Sequence, residues 1–415
     1  MRKWGYVFAN EWMKLIHRRR FWITLLLAVL MSIALSGTLY QWEKENVSGN
    51  LIVEMKQRIE MYEQNLREKK KELSEGTSEE ANLSDLKNQI QLEEEILEGL
   101  KKKLHRMQQL KSSDWDQLTK SDLMKLKQTM EKYQTDSQKE ISEANRESQW
   151  QKYRAQQMEL QYHLERDIPP LLPGELTAWK AMNQLMPLAS GLFLPMLLVI
   201  LVADMVSGET SSGTMKLLLV RPVSRVKILL GKWAVSLTAT ALLSLCFFAT
   251  MLAVHLLLYN PDGANQPHFV NVDYIFGMGK EAQIVPIPLF EEALLIPEWQ
   301  YIMGSMLLTV FAMMAVASIT FLCSTVFKSP MISSGVALAM VILGQTLLQQ
   351  VQNGKWMFWL FSVHLNPGSN WSGELSAAMD ASLPLTTGIV VLTIWIGVTL
   401  LASLLYFRKK DILNA

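Results

Sequence analysis

Apolar residues gather in six runs of about twenty along this chain, the length a helix needs to cross the hydrocarbon core of a bilayer. The runs are Phe21–Tyr40, Leu185–Val206, Ile228–Leu258, Tyr301–Phe327, Met331–Gln350 and Leu385–Phe407. The third exceeds what a bilayer requires, so it tilts or projects beyond the lipid. Only Lys328, Ser329 and Pro330 separate the fourth from the fifth, and proline suits such a reversal because it cannot continue a helical hydrogen-bond ladder. The first run is too long for a cleaved signal peptide and lacks a small-x-small cleavage site. The pattern predicts an all-α polytopic membrane protein with six transmembrane helices. The first span covers residues 21–40, and the other five lie within residues 185–407.

Between the first two runs the pattern changes. Residues 43–182 are polar, with apolar positions at helical spacing: Ile52, Met55, Ile59, Tyr62, Leu66 and Leu73; then Leu83, Leu86, Ile90, Leu97, Leu100, Leu104 and Met107; then Leu123, Leu126, Met130 and Tyr133, followed by Trp150, Tyr153, Leu160 and Leu164. This is coiled-coil periodicity with polar interruptions. "GTSEEAN" (76–82) breaks the first two series and "SSDWDQ" (112–117) reads as a turn. Two helices out and one long helix back, Ser121 to Arg166, would balance in length, the return helix spanning about 70 Å. The expected insert is a helical hairpin, a folded-back three-helix bundle being the alternative. "DIPPLLPGEL" (167–176) ends it stiffly, because proline blocks continuation. Its lysine and glutamate runs read first as a solvated coiled-coil face and second as a surface for an extracytoplasmic ligand or envelope protein.

Composition alone does not reveal any of this. The chain has 415 residues, a net charge of +1 and 49% hydrophobic residues, averages that a soluble protein also shows. The placement of charge is what orients the chain. Arg2, Lys3, Lys14, Arg18, Arg19 and Arg20 precede the first span, a basic stretch joins the second to the third, Lys328 joins the fourth to the fifth, and Arg408, Lys409 and Lys410 follow the sixth. All fall on one side of a six-span arrangement, which puts both termini in the cytoplasm and the insert outside. Trp22, Trp42, Trp179, Trp299 and Trp356 lie near span ends, as interfacial anchors do. Cys246 and Cys323 both lie within spans, so the outer segments carry no disulfide. In the loop Tyr259–Gln300, "VPIPLFEEALLIPEW" reads as an interfacial amphipathic segment. In the loop Val351–Pro384, the aromatics of "KWMFWLFSVHLNPGSNW" are expected at the outer lipid boundary.

Candidate chemistry is sparse. The sequence contains no G-x-x-x-x-G-K-[ST], no H-E-x-x-H and no G-x-S-x-G. His255 is the histidine well inside a span, where a helix–helix hydrogen bond accounts for it better than a metal. Asp204 sits near the end of the second span, beside candidate basic partners. An intramembrane aspartyl protease needs two converging acids, and a proton-coupled carrier several buried ionisable groups; neither pattern is present. Catalysis by this chain is not expected, and metal and cofactor sites are not nominated. Residues 1–20 form one more element. Trp4, Val7, Phe8, Trp12, Leu15 and Ile16 share a helical face, with Lys3, Asn10, Lys14 and Arg18 away from it, as in a helix lying in the interface plane.

The basic stretch between the second and third spans is "SGETSSGTMKLLLVRPVSRVKILLGKW". Together with "FANEWMKLIHRRRFWITLLL" leading into the first span and "YFRKKDIL" (406–413), which runs into the 408–415 tail, it resembles the permease subunits of type-2 (ABC-2) ABC exporters, most closely the bacitracin, lantibiotic or sodium export branch. Glu209, Gly213, Thr214, Leu218, Pro222, Ser224, Arg225 and Lys232 carry the likeness to the E-x-x-x-G-T…L-L…P-x-S-R…K segment of that family. The resemblance implies that residues 207–227 form a cytoplasmic coupling segment docking on a separate ATP-binding subunit, with Glu209 paired to a base, for which Arg221 and Arg225 are the candidates. It implies two permease chains, identical or homologous, over two ATPase subunits that bind the ATP and Mg. Membrane lipid is a further partner and nucleic acid is not. The location implied is the bacterial cell membrane. The competing reading is a non-transporting anchor or sensor whose coiled stalk binds an envelope partner.

Overall fold

The computed structural model describes residues 2–46, 51–75, 80–110, 114–135, 143–172, 174–214, 224–278, 284–350 and 355–409. Among them six helices are long and apolar enough to cross a membrane. The protein is an all-α polytopic membrane protein with a few short strands. A first helix, α1 (Arg2–Ile16), ends at a break over His17 and Arg18, and span one, α2 (Arg19–Asn46), begins there. Phe21, Thr24, Ala28, Ser32 and Ser36, three or four residues apart, make the buried face of α2.

Span two is built in pieces. Thr177 caps α7 (Ala178–Leu188), its Oγ1 accepting the Lys180 N–H at 3.4 Å. The helix therefore starts inside the stretch that the sequence assigned to the insert (43–182). Pro187 offers no N–H to the helical ladder, and neither does Pro195. Between them the backbone widens into a π turn, Ala189–Phe193, before α8 (Leu194–Val202). Ser190 Oγ donates to the Met186 carbonyl at 2.8 Å within this turn. Span three is α10 (Arg225–Leu258), preceded by the short helix α9 (Ser207–Ser211). Span four is α11 (Glu298–Val326), span five α12 (Pro330–Gln350) and span six α15 (Leu385–Lys409). Span four is the most enclosed, packing on spans two, three, five and six. Its Ala312, Ala315, Ala317, Ser318 and Thr320 are all buried, small side chains of the kind that let helices approach closely in lipid. Val199, Ala203, Cys323 and Ala337 form one apolar cluster joining spans two, four and five.

The chain divides into two compact units, residues 38–136 with 156–176 and the remainder. In the smaller unit, α3 (Leu51–Glu75) and α4 (Glu80–Leu110) run antiparallel. Ion pairs Lys69–Glu93, Lys70–Glu94 and Lys101–Glu63 step away from the connection in both helices, and Met55 meets Met107 and Leu172 in a buried cluster further from it. The single return helix expected over Ser121–Arg166 is described instead as α5 (Trp115–Thr135) and α6 (Glu143–Arg166), the residues between them lying outside the described set.

In the loop after span three, "VPIPLFEEALLIPEW" is largely extended strand. It supplies β3 (Ile284–Leu289) and β4 (Leu294–Pro297), which pair antiparallel with β2 (Asp273–Met278) and β1 (Pro267–Val270). Pro286 and Pro288 hold β3 extended and confine it to a two-stranded ladder, since proline cannot donate into a sheet. A bridge between Thr177 and Asn260, and a hydrogen bond from Trp179 Nε1 to the Pro261 carbonyl at 3.0 Å, tie this end of span three to span two. After span five, turns over Lys355–Trp359 and Phe361–His364 lead into α13 (Pro367–Ser372) and α14 (Glu374–Ala378). Trp356 and Trp359 are exposed while Met357 and Phe361 are buried, so only part of that aromatic run is free to meet lipid. His255 is fully buried, yet neither ring nitrogen finds a hydrogen-bond partner among the described residues. Its ring packs edge-on against Tyr259, with centroids 5.6 Å apart, in place of the helix–helix hydrogen bond expected.

Candidate functional site

Beyond α8 the chain turns over Ala203–Val206 and enters α9. Two backbone donors at this break, the N–H groups of Val206 and Ser207, are satisfied by Ser324 Oγ of span four at 3.0 and 3.1 Å. The start of the 207–227 stretch is thereby fixed to the most enclosed of the described spans. Gly213 ends α9 with φ +71°, the left-handed region in which glycine meets no Cβ penalty. Thr214 Oγ1 then turns back, 3.0 Å from Ser212 Oγ and donating at 3.4 Å to the Glu209 carbonyl. The E-x-x-x-G-T spacing thus acquires a local meaning: one residue stops the helix, the next closes it, and Glu209 is left on the inward side. Leu218, Arg221 and Pro222 lie outside the described residues. Ser224 is the extended residue before α10, and Arg225 opens that helix on the exposed side.

Lys232 lies two turns into α10 and is 1% exposed. Its Nζ donates to Glu209 Oε1 at 2.7 Å and to Glu11 Oε2. Glu11, on α1, also accepts from Lys14 Nζ at 2.7 Å, and Lys14 Nζ stands 3.5 Å from Glu209 Oε1. Arg18 reaches both Glu209, at 3.9 Å, and Asp204, at 3.6 Å, and Arg20 closes on Asp204 at 2.8 Å. Helix α1 can bring Glu11 this close because residue 231 is glycine. A Cβ there would stand 2.6 Å from Val7 Cγ1.

Glu11 and Glu209 are each 5% exposed. Stripped of water, such carboxylates are tolerable only when opposed by charge and hydrogen bonds. Burial pushes the Glu11 carboxyl up, but the charges of Lys232 and Lys14 outweigh it and hold Glu11 below the ordinary carboxylate value. A single ammonium shared by two buried carboxylates makes Lys232 the centre of the cluster. The second oxygen of Glu209 is buried with no hydrogen-bond partner among the described residues.

The sequence reading found Glu209 and expected it to pair with a base. The bases that close on it among the described residues are Lys232, Lys14 and Arg18, two of them from the N-terminal segment; of the expected candidates, Arg221 lies outside the described residues and Arg225 opens α10 on its exposed side. Glu11 and Gly231 were missed. The signal for Glu11 was present: it stands between Val7 and Leu15 at intervals of four, in the middle of the apolar stripe of α1, where a carboxylate has to be met by a buried cation. Nothing in this arrangement is a nucleophile or an acid–base pair poised over a cleft. It is a mechanical joint holding three elements together.

Residues 6–412 match the family described as ABC-2 family transporter protein. Over 259 residues, 61% of this chain and 74% of the other, the sequence is 24% identical to the uncharacterized protein YhcI of Bacillus subtilis (strain 168).

Proposed function

The chain belongs to the ABC-2 family of transporter proteins, and from that premise we propose that it is the permease subunit of an ATP-driven exporter, coupled to a separate ATP-binding subunit through residues 207–227. The observation that carries the proposal is the buried cluster around Lys232. It fastens the entry of that segment, through Glu209 and Lys14, and the helix into which the segment returns, through Lys232 and Glu11, to the same N-terminal helix. A segment gripped at both ends transmits force to the spans on either side of it. A loop that merely marked a membrane face would need no such grip. The sequence has no phosphate-binding loop of its own, so the force has to come from a partner that binds ATP and Mg.

In this reading both termini and residues 207–227 are cytoplasmic and the insert is outside. Two permease chains, identical or homologous, enclose the pathway above two ATPase subunits. The cargo is a peptide, antibiotic, lipid-like compound or ion. Within the family, the bacitracin, lantibiotic or sodium export branch remains the nearest likeness on the residues of the coupling stretch. The insert is the surface offered to an outer ligand or envelope protein.

The test is isolation of the tagged full-length chain from its own membrane. A P-loop ATPase should co-purify at near-equal amounts. Arg225→Ala, and Arg221→Ala beside it, should reduce that yield several-fold while membrane insertion is unchanged. Glu209→Gln should instead uncouple ATP hydrolysis from the spans, because it weakens the joint. A chain that arrives without an ATPase and with an envelope protein bound to the insert would support the anchor reading and end this one.

A further inference from the structure

We propose that the corner between α1 and span one is a binding site for an anionic phospholipid headgroup, with Arg19 as its principal ligand. The proposal does not depend on the coupling reading. Four basic or titratable residues follow one another here, His17, Arg18, Arg19 and Arg20. Arg18 and Arg20 both turn to Asp204. A helix rotates by about 100° per residue, so Arg19 is carried away from that acid. It is exposed and makes no ion pair among the described residues.

What lies below Arg19 identifies what it faces. Trp22, Ile23, Leu26, Leu30 and Ile33 follow it at helical spacing, and all are exposed large apolar side chains. On the opposite side, Phe21, Thr24, Ala28, Ser32 and Ser36 are buried. Arg19 therefore heads the exposed apolar stripe of a membrane span, the face a span offers to lipid. A cation in that position extends to the headgroup layer, and the phosphate there matches the guanidinium fork. Trp22 is one turn below, with its indole N–H fixed on the Ile16 carbonyl at 2.8 Å and its ring edge-on to Phe21. Phe21 in turn meets Trp12, which stacks with Phe8. Phe21 and Trp12 hold the exposed Trp22 ring in place, and that ring at the interface seats glycerol and upper acyl carbons beneath the bound phosphate. The local excess of positive charge favours a headgroup with net negative charge over a zwitterion, whose own cation would be repelled.

The experiment uses the full-length chain in phosphatidylcholine vesicles containing a small fraction of brominated phosphatidylglycerol or brominated phosphatidylcholine. Bromine quenches nearby tryptophan, and the Trp22 contribution is the difference between the native chain and Trp22→Phe. Brominated phosphatidylglycerol should quench that contribution about three- to fivefold more strongly, the selectivity one arginine confers at an anionic surface. Arg19→Gln should bring the two lipids level, and Arg19→Lys should retain most of the preference. Inorganic phosphate at matched ionic strength should leave the quenching unchanged. Equal quenching by the two lipids in the native chain, or a preference that survives Arg19→Gln, would overturn the assignment. Release of the lipid by phosphate would overturn it too, leaving an anion site with no selectivity for lipid.

Discussion

At the residue scale the decisive side chain is Lys232. Two carboxylates, Glu11 and Glu209, converge on its ammonium out of reach of water. Removing one member of a buried ionic set strands the others, and that costs about 3–5 kcal/mol, whereas replacing the whole set by neutral groups of similar volume is close to neutral. Lys232→Met should therefore lower the thermal stability of the detergent-solubilised protein by about that amount. Adding Glu11→Gln and Glu209→Gln to it should recover most of the loss. A Lys232→Met protein that melts with the native one would show that the carboxylates are protonated or hydrated instead. The sequence disclosed half of this site. Glu209 stood out as the lone acid in a basic stretch, but beside Lys232 of the same stretch it meets Lys14 and Arg18, which lie more than a span away along the chain. Buried charge is settled by tertiary packing, here by the gap that Gly231 leaves for Val7, and a pattern read along one strand of text carries no measure of that gap.

At the scale of elements, length and hydropathy are strong signals and irregular backbone is a weak one. The apolar runs located six helices because about twenty apolar residues have few other fates. Their ends moved because helices continue into polar sequence once a cap such as Thr177 is available. The strands β3 and β4 did not show as strands in the sequence because short apolar runs with prolines suit an interfacial segment and an extended strand alike. The π turn in span two has no periodicity to read; its two prolines were visible and their joint effect was not. In the smaller unit the heptad-like series did mark the packed faces, Met55, Ile59, Leu66, Ile90 and Met107 being buried. Met107→Ala should accordingly destabilise the α3–α4 hairpin by about 2–4 kcal/mol, the cost of a cavity in a packed core. Met124→Ala, at a residue 66% exposed, should leave it unchanged. Urea-dependent proteolysis of the intact protein measures both, and equal sensitivity of the two variants would mean that the cluster around Met107 is not a core.

At the scale of the whole molecule, lysine and arginine placement predicts sidedness. In a background carrying Cys246→Ser and Cys323→Ala, a cysteine at Met124 should react with an impermeant thiol reagent in intact cells. One at Ser212 should react only after permeabilisation. Labelling of both from one side would break the six-span topology. Spans two and three also have a geometric property that matters whichever face is outward. They are pinned to each other at one end by the Thr177–Asn260 bridge and Trp179, and at the other by Glu209 and Lys232. Two stiff rods pinned at both ends form a closed linkage, and a closed linkage cannot relieve a push by letting one rod slide past the other. It has to flex, and the π turn between Pro187 and Pro195 is a built-in compliant joint. Under the proposed coupling, a thrust on residues 207–214 would be converted into an angle at that π turn, the geometry of a toggle.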